Sequence, residues 1–314
     1  MIIIEDNFNI KLNYKTYLAL GSFDGLHMGH MGLINKTIEL SKLNNVKSMV
    51  CTFKNHPLSV INKAKAPKLI MDNDTKLKLL ESLKVDVVNL VTFNNVYMKI
   101  SPEDFIINMV KHYNVQGIIV GFNYRFGFKN TGDIKLLKKY SSKLGFELHV
   151  INSVTYDNEV VSSSRIRGLI QDGKISEANN MLLKPFMLKG TVVRGKQLGR
   201  KLGFPTANLH CDESFILPRY GVYYTIAEYN NRFYKGMTSV GLNPTVQLKA
   251  KTIFIETYIL DFNKNIYGEG LKLYFIKRMR DEFKFNSLEE LTEQLINDKI
   301  FIENEKLENF TANC

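Results

Sequence analysis

The pattern of apolar runs changes once along the chain, and that change limits the fold more than any other feature. Up to about residue 183, strand-like runs (TYLALGSF, VKSMVCTF, VDVVNLVTF, GIIVGF and FELHVI) alternate with amphipathic stretches such as PEDFIINMVKHY and DIKLLKKYSSKLG. Strands separated by helices predict a parallel sheet covered on both faces. After Pro185 strand follows strand: FMLKGTVVRG, GVYYTIAEY, RFYKGMTSVG, KTIFIETYILDF and LKLYFIKRM, with Gly, Asn and Pro turns between them. That order predicts an antiparallel barrel or sandwich, against which a helix over SLEELTEQLINDKIFIENEKL packs. The expected fold class is α/β. A doubly wound parallel-sheet domain occupies 1–185, and an antiparallel β-barrel domain with a terminal helix occupies 186–314. At 314 residues and 45% apolar content the chain can bury two such cores.

No run approaches the roughly 18 apolar residues of a membrane helix, and MIII leads directly into Glu5 and Asp6. A cytoplasmic protein without a membrane partner is expected. Cys51, Cys211 and Cys314 are too few and too scattered for a disulfide framework, and read as two core or loop thiols and one in the tail. The formal charge of +11 suits nucleic acid, an anionic surface or phosphorylated small molecules alike. Lysines interleaved with acids, as in KLKLLESLK (Lys76 to Lys84), read as solvated helix faces, and no arm rich in arginine and aromatics is present. Nucleic acid is therefore not an expected partner.

Two signatures carry the chemistry. In FDGLHMGH (Phe23 to His30) a strand ending at Leu20 turns through Gly21 and Gly25, and a helix begins near His27. His27 and His30 then stand one turn apart on one helical face, at an end whose free N–H groups and dipole favour a polyphosphate. Gly29 between them allows close approach to the backbone, and Phe23 and Asp24 complete the turn. Two histidines at this spacing also suit a metal, but no third ligand is near in sequence.

The second signature, KGTVVRGKQLGRKLGFPTANL, spaces Gly190, Gly195, Gly199 and Gly203 ahead of Pro205, Thr206 and Asn208. Such glycines let backbone N–H groups reach phosphate, and the Thr206 hydroxyl and Asn208 carbonyl are oxygen ligands suited to Mg²⁺. Glu256 sits in an otherwise apolar strand, where a carboxylate needs work or a partner. By alternation it is equally an outward-facing residue sharing a face with Thr252 and Tyr258.

GSFDGLHMGH resembles the H-x-G-H signature of nucleotidyltransferases. With TFKNHPLSV, GFNYRFGFKNTGD and VSSSRIRGLI in that order, the first half resembles the bacterial FAD synthetase module, of Rossmann-like fold. The resemblance implies that His27 and His30 hold a triphosphate, and that Asn123 contacts nucleotide or flavin. It also implies a flexible loop closing over the phosphates, made of Ser162, Ser163, Ser164, Arg165 and Arg167. Serines can cap a helix and bond phosphate, and arginines supply planar charged forks; which arginine makes the contact stays open, and an arginine pair also fits an ordinary surface. GFPTANL, with GVYY, SVGLNPT, IETYILDF, YGEGLKLYF and RMRDEFKFNSLEEL after it, resembles riboflavin kinase. That resemblance implies Glu256 as base on the ribityl hydroxyl and Gly221, Tyr223 and Arg280 as flavin contacts. The whole implies a bifunctional riboflavin kinase and FMN adenylyltransferase using ATP and Mg²⁺ on riboflavin and FMN, as a monomer or weak homo-oligomer. The chain departs from the commoner pattern at Asn123 (often Asp), Asn130 (often basic), Ser164 (often Thr), Ser239 (often Asn) and Tyr258 (often His).

Two other readings remain at this point. The H-x-G-H signature alone also serves transferases for pantetheine phosphate or a cytidylyl acceptor. A basic β-barrel could instead bind RNA, with strongly salt-dependent affinity.

Overall fold

The apolar runs of the first half become buried parallel strands. The computed structural model describes residues 1–195, 198–243 and 252–307, and the chain divides into the units Met1–Ser162 and Ser163–Cys314. The first unit contains, in order, β1 (Ile2–Ile4), β2 (Thr16–Leu20), α1 (Met28–Leu43), β3 (Lys47–Phe53), α2 (Leu58–Ile61), α3 (Asn73–Ser82), β4 (Val87–Val91), α4 (Pro102–Tyr113), β5 (Val115–Gly121), α5 (Ile134–Leu144), β6 (Glu147–Ile151) and a small hairpin of β7 (Thr155–Tyr156) and β8 (Glu159–Val160).

Six of these strands form one parallel sheet in the order β1-β4-β3-β2-β5-β6. Every residue of β2 and β4 is buried, as a parallel strand covered on both faces requires. The sequence pattern did not foresee β1, the short edge strand made by Ile2–Ile4. Asn89, fully buried on β4, donates to the Tyr113 hydroxyl (2.9 Å) and the Asp6 carbonyl (3.0 Å) and accepts from the Asp6 N–H (3.0 Å). The connection from β1 to β2 is thereby fixed to the sheet through paired polar groups. Order reverses beside β2, with β3 and β4 on one side and β5 and β6 on the other. A crevice therefore opens beyond the carboxyl ends of β2 and β5, where doubly wound sheets take their ligands.

The second unit begins with α6 (Ser163–Gln171) and α7 (Ile175–Met181), followed by β9 (Met187–Val193), α8 (Leu198–Lys201), β10 (Thr206–Cys211), β11 (Gly221–Tyr229), β12 (Arg232–Asn243), β13 (Thr252–Ile259), β14 (Gly270–Arg280) and α9 (Leu288–Asn304). Its six strands close into an antiparallel barrel in the order β10-β13-β12-β11-β14-β9. Closure removes the exposed strand edges that a sandwich would leave. The sequence pattern predicts five barrel strands; the sixth is β10, whose sequence TANLHC carries the motif. Thr225, Thr238 and Thr257 are fully buried and joined in a hydroxyl ladder of two 2.7 Å hydrogen bonds across β11, β12 and β13. The alternate face of these strands carries Val222, Tyr224, Ile226, Met237 and Tyr258, packed with Phe204 and with Ile302 of α9. The helix thus covers the outer face of the barrel. Asn179 of α7 donates to the Phe275 carbonyl (2.8 Å) and accepts from the Phe186 N–H (2.9 Å), which ties the helical pair to the same barrel.

An ion pair anchors α9. Arg280, ending β14, donates to Asp298 from Nε (3.0 Å) and Nη2 (2.7 Å), and both side chains are largely buried. Removing one member of a buried pair leaves an uncompensated charge, a loss of roughly 3 kcal/mol or more. Asp298→Ala should therefore lower the unfolding free energy of the barrel by that amount, read as a lower midpoint in chemical unfolding. A midpoint within experimental scatter of the parent would show that the helix is held by apolar packing alone.

Candidate active sites

The FDGLHMGH turn is conformationally demanding. Phe23 (φ 48°), Gly25 (φ 85°) and Leu26 (φ 38°) all have left-handed backbone, although two of the three carry bulky side chains. Such strain persists only where surroundings over-determine it, and here they do. The Ser22 carbonyl accepts from the Thr52 hydroxyl (2.8 Å) and the Lys76 ammonium (3.3 Å). The buried Asp24 carboxylate accepts from the N–H groups of Ile70 (3.1 Å) and Met71 (3.2 Å). Asp24, expected at the phosphates, thus serves to hold the loop that follows α2.

His27 is the N-cap of α1, and His30 is its third residue. Each ring accepts through Nδ1 from the other residue's backbone N–H at 3.4 Å, and the rings stack at 3.6 Å between centroids, 18° from parallel. Phe23 meets the His30 ring edge-on at 5.1 Å. With Nδ1 engaged as an acceptor, a neutral ring carries its proton on Nε2, a donor suited to an anion. Burial above all, then the charges of His27 and Lys76, holds His30 well below its ordinary 6.5. The ring is therefore neutral at physiological pH.

Gly29 is also required by local packing. A Cβ there would stand 3.1 Å from the His27 ring, so the glycine makes room for the stacked histidine. The same Cβ would lie 3.5 Å from the Val161 carbonyl, so the chain passes the first turn of α1 on its way to Ser162. Gly21 packs against the Phe23 ring. Asn123, exposed just after β5, shares the carboxyl edge of the sheet with this signature, so the strand order brings the two segments to one crevice. Ser163, Ser164, Arg165 and Arg167 are helical, on α6, where the family resemblance implies a flexible loop.

In the barrel, register brings distant residues into one row. Asn208 on β10 lies opposite Glu256 on β13, and Glu256 lies opposite Ser239 on β12. Thr206 lies opposite Tyr258, whose ring meets Phe204 of GFPTANL at 5.1 Å. Because Tyr258 belongs to the outer cluster, strand alternation puts Glu256, Asn208 and Thr206 on the outer face, half-buried. The outward-facing expectation for Glu256 therefore holds. Asn208 folds over Gly195, whose Cα has no room for a side chain against that amide. Gly190 and Gly199 press on the backbone carbonyls of His210 and Phe204, while Gly203 (φ 83°) and the exposed Pro205 lie in the open turn before β10.

Three of the residues expected at flavin, Gly221, Tyr223 and Arg280, lie where the start of β11 pairs with the end of β14. Tyr223 is fully buried, its ring edge-on to Phe275 and its hydroxyl on the Arg219 carbonyl, so it is a core residue. Arg280 is committed to Asp298 and lies over the Phe283 ring at 4.8 Å. Gly221 starts β11, packed against the Arg280 carbonyl and the Arg278 guanidinium. The Pro244–Thr245 end of SVGLNPT and Cys314 lie outside the described residues. Cys51 and Cys211 are free thiols.

Two residues escaped the sequence reading. Glu282 accepts from the Ser239 hydroxyl (3.0 Å), and burial raises its carboxyl. The charge pattern places Lys76 among solvated lysines, yet it is 4% exposed, while Lys78 and Lys84 are exposed as expected. Its spacing with Leu79 and Leu80 on the buried side of α3 was the available signal.

Comparison with known proteins agrees with this partition. Residues 9–165 match the FAD synthetase family and residues 182–305 the riboflavin kinase family. The chain is 36% identical to the bifunctional riboflavin kinase/FMN adenylyltransferase of Bacillus subtilis (strain 168), across 91% of this chain and 90% of that protein. It is 32% identical to the Escherichia coli (strain K12) protein of the same name, across 90% of each. A crystal structure described as a macrolide-efflux protein from Streptococcus pneumoniae superposes with a TM-score of 0.87 at 30% identity, covering 97% of this chain and 99% of that one. Among the described residues no helix is long and apolar enough to cross a membrane.

Proposed function

We propose a residue-level division of labour for this chain, which belongs to the bifunctional riboflavin kinase/FMN adenylyltransferase family. It phosphorylates riboflavin to FMN with ATP, and joins FMN to the adenylyl group of a second ATP to give FAD and pyrophosphate. Residues 1–185 serve adenylyl transfer and residues 186–314 serve phosphoryl transfer, although α6 and α7 pack with the barrel.

In the barrel, Glu256 takes the proton from the primary hydroxyl of riboflavin as its oxygen attacks the γ-phosphorus of ATP, and ADP leaves. The register that sets Asn208 opposite Glu256 is the observation that carries this reading, because it joins the GFPTANL motif to the base. Thr206 and Asn208 offer a hydroxyl and an amide oxygen beside one carboxylate. This hard-oxygen set fits Mg²⁺ that takes its remaining ligands from phosphates and water. The ion would neutralise charge on the β- and γ-phosphates.

In the first unit, a phosphate oxygen of FMN attacks the α-phosphorus of ATP and the bond to pyrophosphate breaks. The nucleophile is already an anion, so alignment and charge neutralisation suffice and no covalent enzyme intermediate is required. His27 and His30 donate from Nε2 to the triphosphate, and Asn123 contacts nucleotide or flavin from the opposite side of the crevice. Ser162, Ser163 and Ser164, with Arg165 or Arg167, supply further phosphate donors. The protein works in the cytoplasm as a monomer or weak homo-oligomer.

Flavin chromatography tests the whole. Purified protein with riboflavin, ATP and Mg²⁺ should yield FMN and then FAD, and a parallel reaction started from FMN should yield FAD. FMN as the sole product would confine activity to the barrel, and no conversion in either reaction would overturn the assignment.

A further inference from the structure

Lys76 is the lysine that the sequence pattern would put in water and the fold puts under the first signature. Its ammonium donates to the Ser22 carbonyl at 3.3 Å, alongside the Thr52 hydroxyl at 2.8 Å. Asp24, two residues on, is the acid that acts most strongly on its charge, followed by Asp72, the N-cap of α3. One buried cation thus meets the strained turn at the point where β2 gives way to α1, near enough to His30 for its charge to act on that ring. A buried ammonium is costly to maintain.

We propose that Lys76 is a positioning residue for adenylyl transfer: from α3 it fixes the Ser22–Asp24 turn, so that the paired His27 and His30 rings are presented to the triphosphate. The inference rests on the assignment of FAD formation to this unit. A second consequence is electrostatic. Burial draws the ammonium down to about 8, with the two aspartates opposing that shift, so Lys76 remains largely protonated near neutrality. Its charge, with that of His27, helps to keep His30 neutral.

The test compares Lys76→Met and Lys76→Gln with the parent in the full chain. Three quantities are read: FAD formation from supplied FMN, FMN formation from riboflavin, and the His30 titration by NMR of its ring nitrogens. The expected result is FAD formation slowed at least tenfold, expressed mainly in kcat, with FMN formation within twofold of the parent. The His30 midpoint should move up toward the ordinary histidine value, and the acid limb of the FAD rate should move with it. A folded variant that makes FAD at the parental rate would overturn the proposal, and so would slowed FAD formation with an unmoved His30 midpoint, the signature of loosened packing alone. Should Lys76→Met fail to fold, Lys76→Gln, which retains chain length and a donor, decides by the same readouts. A parent that makes no FAD would instead refute the assignment of the unit itself.

Discussion

Replacing Glu256 by Gln should abolish conversion of riboflavin to FMN, by a factor of about 10² or more, while conversion of supplied FMN to FAD stays within about twofold of the parent. The substitution keeps the shape of the side chain and its capacity to hydrogen-bond. What it removes is the ability to take a proton from a primary alcohol as that alcohol attacks phosphorus. Since Gln can still lie opposite Asn208 and Ser239 in the barrel row, substrate binding should change less than turnover, and the loss should appear in kcat more than in KM. The supplied-FMN reaction is the internal control, because the histidine signature stands in the other unit. Loss of both activities would contradict independent sites. Retention of FMN formation would remove Glu256 from the role of base and direct attention to Glu282, whose carboxylate lies on Ser239, the cross-strand partner of Glu256.

That row was half legible in the sequence. The motif GFPTANL and the isolated glutamate each stood out, but their adjacency depends on β10 pairing with β13, and β10 was not read as a strand. Its alternation, with Thr206, Asn208 and His210 on one side and Ala207, Leu209 and Cys211 on the other, is only six residues long and begins directly after Pro205. The burial of Tyr223 was hidden for a related reason. Eight of the nine residues of β11 are buried, because the barrel interior covers one face and α9 and its neighbours the other. Alternation then separates the faces without saying which one meets a ligand. The ion pair of Arg280 was not legible either, because its partner, Asp298, lies on a helix 18 residues away, where nothing local signals a buried acid. The parallel sheet was easier, since continuous apolar runs separated by amphipathic helices leave few topologies. The position of His27 at the start of α1 followed from the strand–turn–helix grammar; the reciprocal capping by two histidines did not.

That reciprocal capping sets the second large effect. His30→Ala should lower FAD formation from FMN by about 10² to 10³, the usual loss for a preorganised donor to developing charge, and leave FMN formation from riboflavin near the parental rate. The change removes the Nε2–H donor, and with it the bond from the His27 N–H and the stacked surface that orients His27. His30→Gln, which retains a donor, should recover part of the rate. The pH dependence has a defined sign. His30 is held well below 6.5 in the folded chain, so between that depressed value and about 6.5 the unfolded chain binds a proton that the folded chain refuses. Stability of the first unit should therefore fall as pH drops through that window, and be insensitive to this group above it. In His30→Ala the corresponding component of the slope disappears, even though the loss of the capping bond lowers stability at every pH. A variant with parental FAD formation would show that the triphosphate is held elsewhere, and the stacked pair would then be a capping device for α1 and nothing more.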